Sequence, residues 1–345
     1  MSLFNSSEIE FVRSIEPRCE RHPLNRLLFP QERDSQVVEN MRGALIRVFD
    51  KDETWMLRQK ERLLSTDDYS HASSALSEIR AYGALLGTGL PIKANLAGSV
   101  SEPDFFIEEG EEKIFVEVHS KRWSQEEEEA FIKFNNEQKR PTIDGGVTMR
   151  LHITTPFGVP KKEQENVTIN AIHKLAQMKQ QEEKQKQQFS RDHTSILWVD
   201  FQDEAWNLLL HENDAQPVKT WQGGFWSGPI WYAFYGWKGA PVFEGQRIEE
   251  GFKRPAKTMP HDGRFHKEGT KIDAVIMSFP RSTIILENHH SRKPIRSCFW
   301  GKLFLLPWFS FEGSYTNYPN ATLKQRVEFQ KEMLESLFPK AIYSW

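Results

Sequence analysis

Apolar residues recur every three or four positions between residues 37 and 49, and charged residues fill most of the positions between them. Since about 3.6 residues make one helical turn, this spacing places the apolar side chains on one face of an α-helix. The turn-forming run Ser-Thr-Asp-Asp at 65–68 closes this part of the chain. We therefore predict a helical region over residues 1–68.

The period of the pattern changes after a second predicted helix. This helix begins at Ser73 or Ser74 and ends near Gly87 or Gly89, because glycine commonly stops a helix. Short β-rich runs follow, separated by turn residues. The predicted strands cover residues 90–96, 103–108, 113–121 and 147–154.

Longer elements follow in the second half of the chain. They are a helix over 164–188, a buried strand over 194–201, a hairpin over 273–287 and a closing helix between Thr322 and Pro339. This succession predicts an α/β fold in which helices flank a mixed sheet. We divide the chain into the helical region 1–68, an α/β core at 69–205, and a strand-rich C-terminal extension at 206–345.

Composition restricts the class of protein. The chain has 345 residues with 27% charged and 38% hydrophobic, an ordinary globular balance that excludes a disordered chain. The longest apolar stretch, 303–309, is far shorter than the ~20 residues that span a bilayer. Glu8 and Glu10 interrupt the region where a signal peptide needs an apolar centre, so we expect a cytoplasmic protein with no membrane partner. Cys19 and Cys298 alone cannot build a disulfide framework or a structural zinc site.

Charge and tryptophan are unevenly distributed along the chain. Residues 253–302 contain eleven Lys or Arg against four Asp or Glu, although the whole chain carries −3. We expect this basic segment to contact phosphates if the partner is a nucleic acid. Nine of the eleven tryptophans fall in residues 198–345, and we assign the cluster at 221–237 to packing in preference to base stacking.

Glu78 is unusual on its predicted helix because none of the residues three or four positions away can pair with its charge. It lies beside an apolar stripe, where an unpaired carboxylate is costly. Either the side chain reaches water at the edge of the stripe, or a cation from another element, such as a metal ion, meets it.

The hairpin formed by the two following strands brings two more carboxylates together. With a four-residue loop at 109–112, Asp104 lies directly opposite Glu117; with a two-residue loop at 109–110, the two are diagonal neighbours. Both registers place them on the same face of the hairpin. That face carries Asp104, Phe106, Phe115, Glu117, His119 and Lys121, and the other carries Phe105, Ile107, Ile114, Val116 and Val118.

The opposed carboxylates repel each other unless a cation lies between them. Phe106 and Phe115 beside them indicate partial cover, in contrast to the exposure that one face of an antiparallel pair commonly has. Converging carboxylate oxygens in a partly enclosed site are the environment that Mg²⁺ uses while it keeps several waters. The hairpin therefore predicts a site for Mg²⁺, or for Mn²⁺ in its place.

Three pieces of sequence in this order resemble the PD-(D/E)xK nuclease superfamily, which has the restriction-endonuclease-like fold. They are Glu78, Pro103–Asp104 and Glu117–Val118–His119, and the resemblance covers about residues 70–202. It implies a Mg²⁺-dependent endonuclease that hydrolyses phosphodiester bonds in DNA, with Glu78, Asp104 and Glu117 as metal ligands.

The chain departs from this family at His119, where the family has a lysine that orients the attacking water. His119 could donate a hydrogen bond, or carry charge if the neighbouring carboxylates raise its pKa. Lys121, two residues further on the same face, and Lys174, on the long helix, are the other candidates for the basic group.

The departure leaves two other classes of function open. One is a nuclease-like module without catalysis, which binds nucleic acid or a protein partner. The other is a carbohydrate-active protein with tryptophan platforms and paired carboxylates. Dependence on a divalent metal distinguishes the nuclease from both.

Overall fold

The computed structural model describes residues 3–15, 22–30, 35–65, 69–95, 102–121, 167–180, 189, 192–202, 210–221, 223–247, 257–266, 269–318 and 322–337. The helices are α1 (Ser6–Ser14), α2 (Pro23–Leu28), α3 (Ser35–Lys51), α4 (Glu53–Leu63), α5 (Tyr69–Gly87), α6 (Val167–Gln177), α7 (Pro229–Tyr235), α8 (Ser297–Leu303) and α9 (Leu323–Leu337). The strands are β1 (Ile92–Ala94), β2 (Phe105–Glu109), β3 (Glu112–Ser120), β4 (Thr194–Asp200), β5 (Val218–Trp221), β6 (Gly224–Ser227), β7 (Pro241–Val242), β8 (Glu244–Arg247), β9 (Lys257–Thr258), β10 (Ala274–Phe279) and β11 (Ser282–Glu287).

A six-stranded mixed sheet with the order β1-β2-β3-β4-β10-β11 forms the centre of the fold. The middle strands β3, β4 and β10 are parallel, and the outer pairs β1–β2, β2–β3 and β10–β11 are antiparallel. The predicted mixed sheet flanked by helices is therefore confirmed. Since β10 and β11 come from residues 274–287, the sheet extends past the boundary that we predicted at residue 205.

Helices cover both faces of this sheet, so successive residues of a central strand enter different cores. Trp198 of β4 packs in the core formed with α3, α4 and α5, whereas Leu197 and Val199 pack in the core formed with α6 and α7. The alternation fixes which side of the sheet each polar residue on β3 and β4 faces.

The contact between α3 and α5 requires a glycine. A Cβ on Gly83 would lie 2.5 Å from the Cβ of Ala44, so only a residue without a side chain lets the two helices approach this closely.

The apolar spacing that predicts α3 agrees with its packing, because Val38, Met41 and Val48 are buried.

Some predicted elements differ from the structure. The helix expected over 164–188 is α6, which ends at Gln177; Lys179 then adopts a left-handed conformation with φ 56°. The strand expected over 147–154 lies outside the described residues. The hairpin expected over 273–287 is confirmed, with Phe279 opposite Ser282.

The tryptophan cluster contributes mainly to packing, as expected. Trp231 is fully buried in the core, whereas Trp221 keeps 58% of its surface exposed.

None of the described helices is both long and apolar enough to cross a membrane.

Candidate functional site

The β2–β3 hairpin has one of the two registers that the sequence allowed. Phe105 pairs with Val116 and Glu108 with Lys113, so Asp104, one residue before β2, is opposite Glu117. The ladder continues to Glu109 opposite Glu112, and Gly110 makes the turn with φ 66°. The loop is therefore shorter than the predicted 109–112, but the register predicted for that loop is correct.

The residues of the hairpin divide between its two faces as the alternation predicted. The five residues of the apolar face lie in the core beneath α5: Phe105, Ile107, Ile114, Val116 and Val118. On the other face the half-buried rings of Phe106 and Phe115 pack edge to face with centroids 5.4 Å apart. This pair partly covers the face that carries Glu117.

The side chain of Asp104 is hydrogen-bonded to the neighbouring strand β3. Its Oδ2 accepts a hydrogen bond from the backbone N–H of Val118 at 2.7 Å. Burial, and then the negative charges of Glu117 and Glu78, raise the pKa of Asp104 well above its usual range. The carboxyl group therefore binds a proton more readily than an ordinary aspartic acid.

Lys179 supplies a cation that the sequence reasoning missed. Its Nζ lies 2.8 Å from Oε1 of Glu117, and the two side chains are only 18% and 3% exposed. The helix that we predict over 164–188 includes Lys179 and gives no reason to place it at the sheet. The left-handed turn at Lys179 ends the helix and returns the side chain to the sheet.

Glu78 is paired with an arginine from another helix. Both carboxylate oxygens accept hydrogen bonds from Arg62 of α4, at 2.7 and 2.9 Å, and Gln59 donates a third at 3.1 Å. Burial acts to lower the pKa of Arg62, but its bonds to Glu78 and the charges of Glu78 and Asp104 raise it overall. Of the two alternatives for Glu78, a cation from another element is the one observed.

Burial and neighbouring cations determine the charge state of His119. Burial, and then the positive charges of Lys179, Lys121 and Arg264, lower its pKa to about 3. Of the two possibilities for His119, a hydrogen-bonding imidazole and a charged one, these effects favour the first. His119 is therefore a neutral imidazole that can donate or accept one hydrogen bond.

The imidazole of His119 should not titrate between pH 5 and 8. Because its folded pKa lies below the unfolded value of about 6.5, native stability should fall as the pH drops from about 6.5 towards 3. We expect an NMR pH titration of the His119 ring to show no chemical-shift step in the neutral range. A step near pH 6.5 would contradict the assignment.

The other two lysine candidates have different positions. Lys121 follows β3, and its backbone N–H donates to the carbonyl of Asp200 at 3.3 Å. Lys174 lies on α6, more than one helical turn before Lys179. Of the three lysines, Lys179 is the one for which a contact with Glu117 is seen.

The two carboxylates on the hairpin are suitable ligands for a hard cation. Asp104 and Glu117 face each other across the hairpin, and Mg²⁺ is commonly bound through one or two carboxylates with waters completing its shell. Both oxygens of Glu78 are held by Arg62, so this residue does not fit as a direct ligand. Within the described residues, no group of three or more His, Cys, Asp or Glu side chains is arranged to hold a metal ion.

Several cations of the basic segment 253–302 have partners inside the protein. Arg296 lies 2.6 Å from Glu112, and Lys302 lies 3.2 Å from Glu109, so both neutralise the acidic tip of the β2–β3 hairpin. Arg264 is buried and donates to the carbonyl of Met178. Lys257 is exposed, while residues 253 and 254 lie outside the described part of the chain.

Comparison with known proteins finds no family model, no curated protein and no solved structure that matches this chain. The residues of the site therefore provide the only basis for inferring a function.

Proposed function

We propose that this protein is a Mg²⁺-dependent endonuclease that hydrolyses phosphodiester bonds in DNA. The observation that carries the proposal is the contact between Lys179 and Glu117 on the face that Glu117 shares with Asp104. Two opposed carboxylates with an adjacent lysine are the set that the family resemblance requires. The lysine comes from the segment after α6 instead of from the position of His119.

Asp104 and Glu117 would hold the metal ion, which when bound lowers the pKa of a coordinated water and neutralises charge on the phosphate. Lys179 would orient the attacking water and stabilise the charge that develops on the phosphate oxygens. Neutral His119 would hold the water through one hydrogen bond. Glu78 and Arg62 would position the strand end that carries Asp104, since Arg62 also interacts electrostatically with Asp104.

The proposal predicts cleavage that needs both the metal and Glu117. Purified protein should cut plasmid DNA with Mg²⁺ or Mn²⁺ and fail to cut it in EDTA. Glu117→Gln should reduce cleavage to background, because it removes one of the two charged ligands. Glu108→Gln is the matched control, since Glu108 lies on the same hairpin but pairs with Lys93 and Lys113 at its tip. Undiminished cleavage by Glu117→Gln, or equal cleavage in EDTA, would contradict the proposal.

One observation favours the alternative of a nuclease-like module without catalysis. Lys179 and Arg62 already neutralise Glu117 and Glu78, so the cluster is electrostatically compensated by the protein itself. In that case wild type binds nucleic acid or a protein partner but cuts nothing with either metal. Cleavage that appears only in His119→Lys would then identify a degenerate nuclease.

A further inference from the structure

A second cleft opens where α3 and α5 meet the ends of β4 and β10. It is lined by arginines, whereas the site described above is built from carboxylates. It has an empty volume of about 430 Å³, counting the space open to solvent. Its walls include two arginines, Arg47 and Arg80, and its rim includes Trp308. The site proposed above uses none of these three residues.

Arg47 of α3 is fixed in place by the helix contact. Its Nε donates to the backbone carbonyl of Gly83 at 2.9 Å, and a Cβ on Gly87 would lie 3.3 Å from the same nitrogen. Although the residue as a whole is exposed, partial burial of its guanidinium lowers the pKa of Arg47. Within the described residues no carboxylate pairs with it. A partly desolvated cation without a counter-ion attracts an anion from solution.

Arg80 of α5 forms the deeper wall of the cleft. Its side chain is 8% exposed, and it pairs with Asp200, which is 1% exposed, at 3.1 Å. The Nε–H of Arg80 is buried without a hydrogen-bond acceptor among the described residues. Buried N–H groups are nearly always satisfied in native proteins, so this donor indicates a missing acceptor.

Trp308 is held at the rim in a strained conformation. It has φ 57°, which is costly for any residue with a side chain, and 47% of its surface is exposed. The strand β11 holds this backbone: Thr283 donates from its N–H to the carbonyl of Trp308 at 2.9 Å and from its hydroxyl to that of Pro307 at 2.7 Å. Backbone strain of this kind persists where the surrounding structure enforces it. At Trp308 the enforced backbone leaves the indole ring partly exposed, so that it is available for stacking.

We propose that this cleft binds one nucleotide unit, with the phosphate against Arg47 and Arg80 and the base stacked on Trp308. A phosphate supplies an acceptor for the Nε–H of Arg80 and a counter-ion for Arg47, and a base has a flat face that stacks on an indole. The open side of the cleft allows the unit to be either a free nucleotide or part of a strand. The proposal does not require the Asp104–Glu117 site to be catalytic.

Calorimetric titration of the full chain in EDTA tests the proposal with adenosine monophosphate, adenosine, inorganic phosphate and a single-stranded dA10 oligonucleotide. We expect adenosine monophosphate to bind at least tenfold more tightly than adenosine or phosphate alone. Arg47→Gln and Trp308→Gly should each weaken its binding roughly tenfold. Arg42→Gln, on the exposed face of α3 where Arg42 pairs with Glu39, should leave binding unchanged.

The variants separate a binding role from a structural one. Glycine accepts φ 57° without strain, so Trp308→Gly should keep the thermal midpoint of wild type or raise it. Competition by dA10 identifies a strand as the source of the nucleotide, and its absence identifies a free nucleotide. Equal affinity in wild type and both variants, or no binding by wild type, overturns the proposal. EDTA prevents cleavage, so failure of the proposed nuclease activity cannot produce either result.

Discussion

Lys179→Met should lower Mg²⁺-dependent DNA cleavage by roughly 10²–10⁴, the usual effect of removing a group that orients water or transfers a proton. The reason is geometric, because the Nζ of Lys179 lies 2.8 Å from a carboxylate oxygen of Glu117. Methionine keeps the length and apolar stem of the side chain but loses the charge and the hydrogen-bond donors. Initial rates on a fluorescent duplex oligonucleotide at saturating Mg²⁺ measure the effect.

The matched control is Lys174→Met, on α6 five residues before Lys179. If Lys174 supplies the basic group, the two effects will be reversed, and the assignment of Lys179 will be wrong. Since Lys179→Met also leaves Glu117 buried without its cation, thermal midpoints must show that the variant is folded at the assay temperature. Lys179→Arg keeps the charge and should retain part of the activity.

The acidic pair could be predicted from the sequence because β-structure alternates with period two. Asp104 and Glu117 fall on the same face in either register, and the apolar residues between them define the opposite face without reference to the rest of the chain. This local rule predicted both the core face of the hairpin and the position of the candidate site.

The partners of these carboxylates could not be predicted in the same way. Arg62 meets Glu78 from a separate helix, and Lys179 meets Glu117 from 62 positions further along the chain. Both contacts depend on how elements pack, and the second also depends on a left-handed residue that ends α6 early. Helical periodicity in the polar run after residue 178 carries no signal for such a break. The choice between the two possibilities for His119 could not be made from the sequence for the same reason, because Lys179 and Arg264, two of the three cations that lower its pKa, come from other elements.

The same limitation applies to the pair of Arg80 and Asp200, which are 120 positions apart in the chain. It joins α5 to the end of β4 and closes the inner wall of the cleft beside Trp308. Two charges this deeply buried are each costly alone and tolerable together. The pair therefore has a consequence for stability that can be measured separately from function.

Arg80→Met should destabilise the protein by about 3–5 kcal/mol, because it leaves the carboxylate of Asp200 buried without its counter-ion. Urea unfolding followed by circular dichroism measures the change, with the midpoint lowered at constant slope. Adding Asp200→Asn to Arg80→Met should recover much of the loss, since the double variant removes the unpaired charge. Arg42→Met, which breaks an exposed pair, should cost less than about 1 kcal/mol. A double variant no more stable than Arg80→Met alone would show that arginine acts there through packing and not through its charge.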